Sequence, residues 1–240
     1  MTLLAIEGVS KRFRGLRAVD RVNCEIEPGQ VFAVIGPNGA GKTTLFNMVA
    51  GMLRPDEGTI TFAGERIDGR RPDEIARLGI GRTFQNVRPF PALSVEDNVV
   101  IGALLHAKNM EEALETAHRV IWQLDLFGKL RQPASALALP DRKRLELARA
   151  LATRPKLLLL DEVMAGLRPT ETDRMVAMLR ELNRTTGMTI LLIEHVMRAV
   201  MALASHVLVL DHGVAIAEGT PDAIVRDPAV VQSYLGAEAV

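Results

Sequence analysis

Gln30-Val31-Phe32-Ala33-Val34-Ile35-Gly36-Pro37-Asn38-Gly39-Ala40-Gly41-Lys42-Thr43-Thr44-Leu45-Phe46-Asn47-Met48-Val49-Ala50 reads as a strand, a glycine-rich loop and a helix in immediate succession. The apolar run 31–35 is short enough for a buried strand, and the G-x-x-x-x-G-K-T spacing from Gly36 to Thr43 is that of a phosphate-binding loop. In such a loop the glycines let the backbone wrap an anion, so its N–H groups point inward and the following helix N-terminus faces the phosphates. Lys42 then reaches the β- and γ-phosphates as a point charge, and the Thr43 hydroxyl lies where a Mg²⁺ ion would bind. The expected ligand is a purine nucleoside triphosphate.

Working outward, 240 residues suffice for one large domain, or for a domain with an inserted lobe. Lys and Arg number 29 and Asp and Glu 29, so no overall field draws in nucleic acid or an anionic membrane surface. Nucleic acid is not expected as a partner. The single cysteine, Cys24, suits a reducing compartment and reads as a small strand hydrophobe. The first residues lack the charged start and apolar core of a signal peptide, and no run reaches the roughly 18 apolar residues that span a bilayer. These features predict a cytosolic chain.

Residues 3–9 and 19–26 read as strands, the second with two-residue alternation, and Pro28-Gly29 as a turn. Between them Phe13 stands among bases. Locally it is either a stacking platform for a nucleotide base or a strand-end core residue. Residues 59–64 suggest a hairpin-like β appendage, and residues 72–78 a short helix with proline and acids in its first turn, stopping at Gly79. Residues 80–85 read as a strand ending at Gln85. From 94 to 153 the pattern is helical: within 110–126, Ala113, Leu114, Ala117, Val120, Ile121 and Leu124 share one face, and Trp122 is expected to pack inside this lobe. Strands and helices then alternate: 157–160 ending in Asp161-Glu162, a helix over 169–186, 188–193 ending in Glu194-His195, a helix over 196–204, and strands 207–210 and 214–217 around Asp211-His212-Gly213.

This alternation predicts an α/β fold with a mostly parallel sheet. Ligands of such sheets bind at the carboxyl ends of strands, where the phosphate loop, Gln85, Asp161-Glu162 and His195 all fall. Asp161 is placed to hold Mg²⁺ and Glu162 to orient or deprotonate the attacking water. The Gln85 amide can touch both metal and water, and His195 can contact the γ-phosphate.

On these residues the chain resembles ATP-binding cassette (ABC) transporter ATPases over essentially its whole length. The resemblance implies a nucleotide-triphosphatase fold of ABC type, with a mostly parallel sheet, an antiparallel β appendage and an inserted helical lobe. It treats 1–240 as one ATPase domain, with the helical part at roughly 87–155. Phe13 matches the adenine-stacking aromatic and Gly36, Pro37, Asn38, Gly39, Ala40, Gly41, Lys42 and Thr43 the Walker A loop, with Thr44 following. Gln85 matches the Q-loop glutamine, Asp161 the end of Walker B, Glu162 the catalytic glutamate and His195 the switch histidine. Catalysis would then rest on Glu162, His195, Gln85 and Lys42, with Thr43, Gln85 and Asp161 at the metal and ATP with Mg²⁺ as cofactors. Within the family, residues 75–85, Ile193-Glu194-His195 and the tail 219–236 resemble the ATPases of branched-chain amino acid importers. That implies a peripheral subunit on the cytoplasmic side of the plasma membrane. Its partners would be a second ABC ATPase in a heterodimer, membrane permease subunits and, indirectly, a substrate-binding protein. A urea or amide importer, a lipopolysaccharide exporter and a nucleotide-gated interaction protein with little turnover are the alternatives.

One stretch departs from the family pattern. Where its signature is usually Leu-Ser-Gly-Gly-Gln, this chain has Leu137-Ala138-Leu139-Pro140-Asp141. Ala138 lacks a hydroxyl, and Pro140 lacks an N–H and cannot approach a ligand as glycine does, although Pro140 and Asp141 make a sound helix start. Val163 follows Glu162 where the family usually has proline. The run Ala165-Gly166-Leu167-Arg168 ends in arginine where aspartate or asparagine is common.

Overall fold

The computed structural model describes residues 1–84 and 89–236. Strands β1 (Leu4–Phe13), β2 (Leu16–Ile26) and β3 (Val31–Ile35) precede helix α1 (Lys42–Val49). Next come β4 (Glu57–Phe62), β5 (Glu65–Arg66), α2 (Pro72–Leu78) and β6 (Ile80–Arg82), then α3 (Val95–Ala103), α4 (Met110–Gln123) and α5 (Leu139–Ala152). The rest alternates: β7 (Leu157–Asp161), α6 (Pro169–Thr186), β8 (Thr189–Ile193), α7 (Met197–Leu203), β9 (His206–Asp211), β10 (Val214–Gly219), α8 (Pro221–Arg226) and α9 (Pro228–Gly236). A six-stranded sheet has the order β10-β9-β3-β8-β7-β6, antiparallel only between β10 and β9. A separate four-stranded antiparallel sheet has the order β2-β1-β4-β5. The β1–β2 hairpin is longer than its apolar residues suggested: β1 runs on through Ser10-Lys11-Arg12-Phe13, whose outer part is exposed.

The continuous apolar runs follow from burial on both faces of the central sheet. Along β3, Val31, Ala33 and Ile35 join one core while Phe32 and Val34 join another. In β7, Leu158 and Leu160 likewise separate from Leu157 and Leu159. The first core lies under the helices. The second is closed by α1 and the antiparallel sheet through Phe46, Ile60 and Phe62.

Helices α3, α4 and α5 form the lobe expected from the helical pattern. Ser94 caps α3 by accepting from the Asp97 N–H, and Asn109 caps α4 by accepting from the Glu112 N–H. Buried Asn98 fastens the entering chain, donating to the Phe90 and Ser94 carbonyls at 3.1 and 2.9 Å and accepting from the Phe90 N–H at 2.8 Å. On α4, Ala113, Ala117, Val120 and Ile121 are buried as expected, Leu114 lies at the edge, and Thr116 joins the stripe. Trp122 does not pack inside the lobe: it is 75% exposed. At about 100° per residue it falls opposite the buried stripe, so angular position overrides hydrophobicity. Cys24 is buried in β2, and burial pushes its thiol up to about 12.

Helices α3 and α5 meet at Gly102, where an added Cβ would lie 2.4 Å from the Arg149 carbonyl oxygen. Gly102→Val should therefore cost about 1–3 kcal/mol in urea unfolding by forcing the helices apart. Trp122→Ser should stay within about 0.5 kcal/mol, since the indole contributes little to the core.

Candidate functional site

The strand-loop-helix corner is shaped by backbone contacts. Gly36 has φ 145° and Gly41 φ 100°, and an added Cβ would come within 2.0 Å of the Leu210 carbonyl oxygen and 2.3 Å of the Ala18 carbonyl oxygen respectively. Only glycine fits beneath those carbonyls. Helix α1 starts at Lys42 with no side-chain cap and no acid in its first turn, which leaves its positive end facing the loop. Lys42 is buried, and its Nζ donates to the Gly36 and Pro37 carbonyls at 2.7 and 2.9 Å. Burial lowers its pKa, against the attraction of Glu162 and Asp161. The cation is thus held inside the loop it would serve.

Asp161 ends β7, one strand beyond β8, and is 2% exposed. Its Oδ2 pairs with Arg82 Nη2 at 3.2 Å, while Arg82 Nη1 donates to Asn47 Oδ1 of α1 at 2.7 Å. Burial raises the Asp161 pKa against the opposing pull of Arg82, and burial lowers that of Arg82. Asp161 Oδ1 is buried without a hydrogen-bond partner among the described residues. A buried carboxylate oxygen with unused lone pairs is a suitable donor for a hard cation. No group of three or more His, Cys, Asp or Glu side chains able to hold a metal occurs among the described residues. Mg²⁺ takes one or two protein oxygens and otherwise phosphate and water. The donor set of Thr43 and Asp161 therefore fits the ion.

Glu162 follows with φ 48°, in the left-handed region, and its N–H donates to the Ile193 carbonyl of β8 at 3.0 Å. Its Oε1 lies 3.9 Å from Nδ1 of His195, which stands just beyond the end of β8 and is half exposed. The parallel sheet thus brings together the phosphate loop, Asp161, Glu162 and His195. Phe13 ends β1 at the tip of the hairpin and is 43% exposed, with Lys11 Nζ 5.9 Å above its ring. It is not a core residue, and β2 fixes the hairpin beside the loop through Ala18. Gln85 lies outside the described residues, and β6 ends at Arg82, before the position expected.

The divergent stretch runs straight into α5, which begins at Leu139 with Ala138 as a cap lacking a side-chain hydrogen bond. Pro140 lies in the first turn, as the second residue of α5. Asp141 is buried there between Lys129 and Arg144, both within salt-bridge distance. Arg168 serves as the backbone cap of α6, its N–H donating to Glu171 Oε2 at 2.8 Å.

Four more residues join the site: Arg82, Asn47, Lys143 and Glu194. Lys143 of α5 is buried, and its Nζ donates to the Glu162 carbonyl at 3.0 Å. Burial lowers its pKa, opposed by Glu194, Glu162, Asp161 and Glu146. Glu194 is 1% exposed; its Oε1 accepts from the Met164 N–H at 2.9 Å, and burial raises its pKa to about 7. Only Glu194 carried a sequence signal, an acid directly after an apolar strand.

The raised pKa of Glu194 couples its protonation to folding stability. Between its ordinary 4.5 and about 7 the native protein holds a proton that the unfolded chain has released, so stability falls as pH rises through that window. The contribution lost is ~3 kcal/mol. In Glu194→Gln, whose amide oxygen can still accept from Met164, this part of the slope should vanish, as urea melts from pH 4.5 to 8 will show.

Comparison with known proteins agrees with this geometry. Residues 19–165 match the model of the ABC transporter family, and residues 216–240 that described as branched-chain amino acid ATP-binding cassette transporter. The high-affinity branched-chain amino acid transport ATP-binding proteins BraF of Pseudomonas aeruginosa and LivG of Escherichia coli are each 39% identical over 98% of both chains. A probable LivG of Archaeoglobus fulgidus is 38% identical over 99% of this chain and 97% of its own. Among solved structures, a nucleotide-free ATP-binding cassette from an ABC transporter superposes with a TM-score of 0.89 at 31% identity, covering 98% of this chain and 99% of that one. From the loop geometry and these matches together, the chain belongs to the ABC transporter family as an ATP-binding subunit.

Proposed function

We propose that this chain is the ATP-hydrolysing subunit of an importer for branched-chain amino acids, seated on the cytoplasmic face of a membrane permease. The observation that carries the reading is the convergence of Lys42, Asp161, Glu162 and His195 at the carboxyl edge of one parallel sheet. The names of the 38–39% identical relatives and the match of the tail 216–240 support the cargo. Among the described residues no helix is long and apolar enough to cross a membrane. A cleft of about 250 Å³ between α2, α3 and α5, edged by exposed Met52, Phe84 and Ile101, offers the permease an apolar seat.

In this reading the loop amides and the positive end of α1 bind the phosphates of ATP, and Phe13 stacks on the adenine. Lys42 leaves the loop carbonyls for the β- and γ-phosphates. Thr43 and Asp161, with Gln85 as the further expected ligand, would hold Mg²⁺, which would supply neutralisation of the phosphate charge. Glu162 accepts a hydrogen bond from the attacking water, directing an oxygen lone pair at the γ-phosphorus, and takes up the proton that the water loses as it attacks. His195, beside Glu162, contacts the γ-phosphate and registers its departure. Catalysis here is chiefly positioning and charge stabilisation.

The partner is a second, different cassette. At the start of α5 this chain offers no capping hydroxyl and no amide at Pro140, and carries a buried carboxylate at Asp141. Losing one or two charge-assisted hydrogen bonds, each worth about 1.5–3 kcal/mol, weakens a contact made in trans by about tenfold to about 20,000-fold. The site built on this chain's own Walker loop, completed by the partner's signature, would carry the turnover.

The test is ATPase activity of the purified chain alone and paired with its partner cassette. Glu162→Gln in this chain should reduce the pair's activity by about 100-fold or more. The same substitution in the partner should cost less than about fivefold. Equal costs would remove the asymmetry. Nucleotide binding without turnover in every pairing would favour a gated interaction protein instead.

A further inference from the structure

Lys143 has no part in the chemistry above, yet its side chain leaves the helical lobe and buries its charge behind the catalytic carboxylate. A buried ammonium is retained only where partners offset its desolvation. The Glu162 carbonyl accepts its hydrogen bond at 3.0 Å, and Glu194, Glu162, Asp161 and Glu146 surround it with negative charge.

That carbonyl belongs to a residue with left-handed backbone, φ 48°, a conformation unfavourable for any side chain. The backbone angle sets the direction in which the Glu162 carboxylate leaves the chain, so whatever holds the angle aims the carboxylate. Three contacts grip the turn from within the core: the Glu162 N–H on Ile193, the Ala165 N–H on the Glu162 carbonyl at 3.1 Å, and the Met164 N–H on Glu194. Lys143 grips it from α5, the helix whose first residues are the divergent stretch 137–141.

We propose that Lys143 is a positioning residue for hydrolysis: it aims Glu162 and ties that aim to α5, so that a partner engaging the start of α5 adjusts the carboxylate of this same chain. The inference rests on the ATPase reading above. The competing explanation is that Lys143 merely balances the charge of Glu194.

The experiment uses the paired cassettes, with Lys143→Met, Lys143→Arg and the double variant Lys143→Gln/Glu194→Gln, measuring kcat, KM for ATP, binding of a fluorescent ATP analogue and Tm. Lys143→Met should lower kcat by at least about tenfold with KM and nucleotide affinity within about twofold, and Lys143→Arg should regain most of the loss. The double variant should recover Tm but not kcat. Unchanged kcat in Lys143→Met, or recovery of kcat as well as Tm in the double variant, would overturn the proposal. If Lys143→Met does not fold, the double variant alone decides between the two explanations. A wild-type pair without ATPase activity would instead sink the underlying reading.

Discussion

The whole arrangement depends on backbone lying against backbone around the phosphate loop. Gly36 passes under the Leu210 carbonyl of the central sheet and Gly41 under the Ala18 carbonyl of the antiparallel sheet. Gly213, in the β9–β10 turn, links the same elements, its N–H donating to the Ala40 carbonyl at 3.0 Å and its carbonyl accepting from Asp20 at 2.8 Å. The loop is therefore wedged between two sheets. A chain that formed the parallel sheet alone would carry the motif without its shape, so the β appendage shapes the loop as well as covering the core.

The same edge concentrates charge that a core ordinarily excludes. Lys42, Arg82, Lys143, Asp161 and Glu194 are all wholly or largely buried, and burial moves each toward its neutral form while its oppositely charged neighbours oppose the shift. Such a cluster is not an economical way to stabilise a fold. Under the proposed ATPase function it would hold dipoles and charges ready where phosphate charge is redistributed, so that little reorganisation remains at the moment of reaction.

Much of this was legible in the residues because backbone requirements and two-sided burial leave local marks. The G-x-x-x-x-G-K-T spacing exposed the loop, and unbroken runs such as Leu157-Leu158-Leu159-Leu160 exposed strands covered on both faces. What was not legible depends on tertiary placement. Trp122 was misplaced because its type was weighed above its angle on α4. Arg82 and Lys143 carry no local mark of their roles, since nothing nearby in sequence indicates that one meets Asp161, 79 positions away, and the other the carbonyl of Glu162, 19 positions away. Asp141 read as a helix-start residue, and only the fold supplied Lys129 and Arg144 around it.

Cys24 gives the molecule a further property. Enclosed in β2 with its thiol held up to about 12, the chain's single sulfhydryl is almost entirely protonated and out of reach while the fold persists. Thiol reagents will pass over the native protein and mark only molecules in which the antiparallel sheet has opened. Since that sheet also forms one wall of the phosphate loop, the lone sulfur reports chemically on whether the nucleotide pocket is assembled.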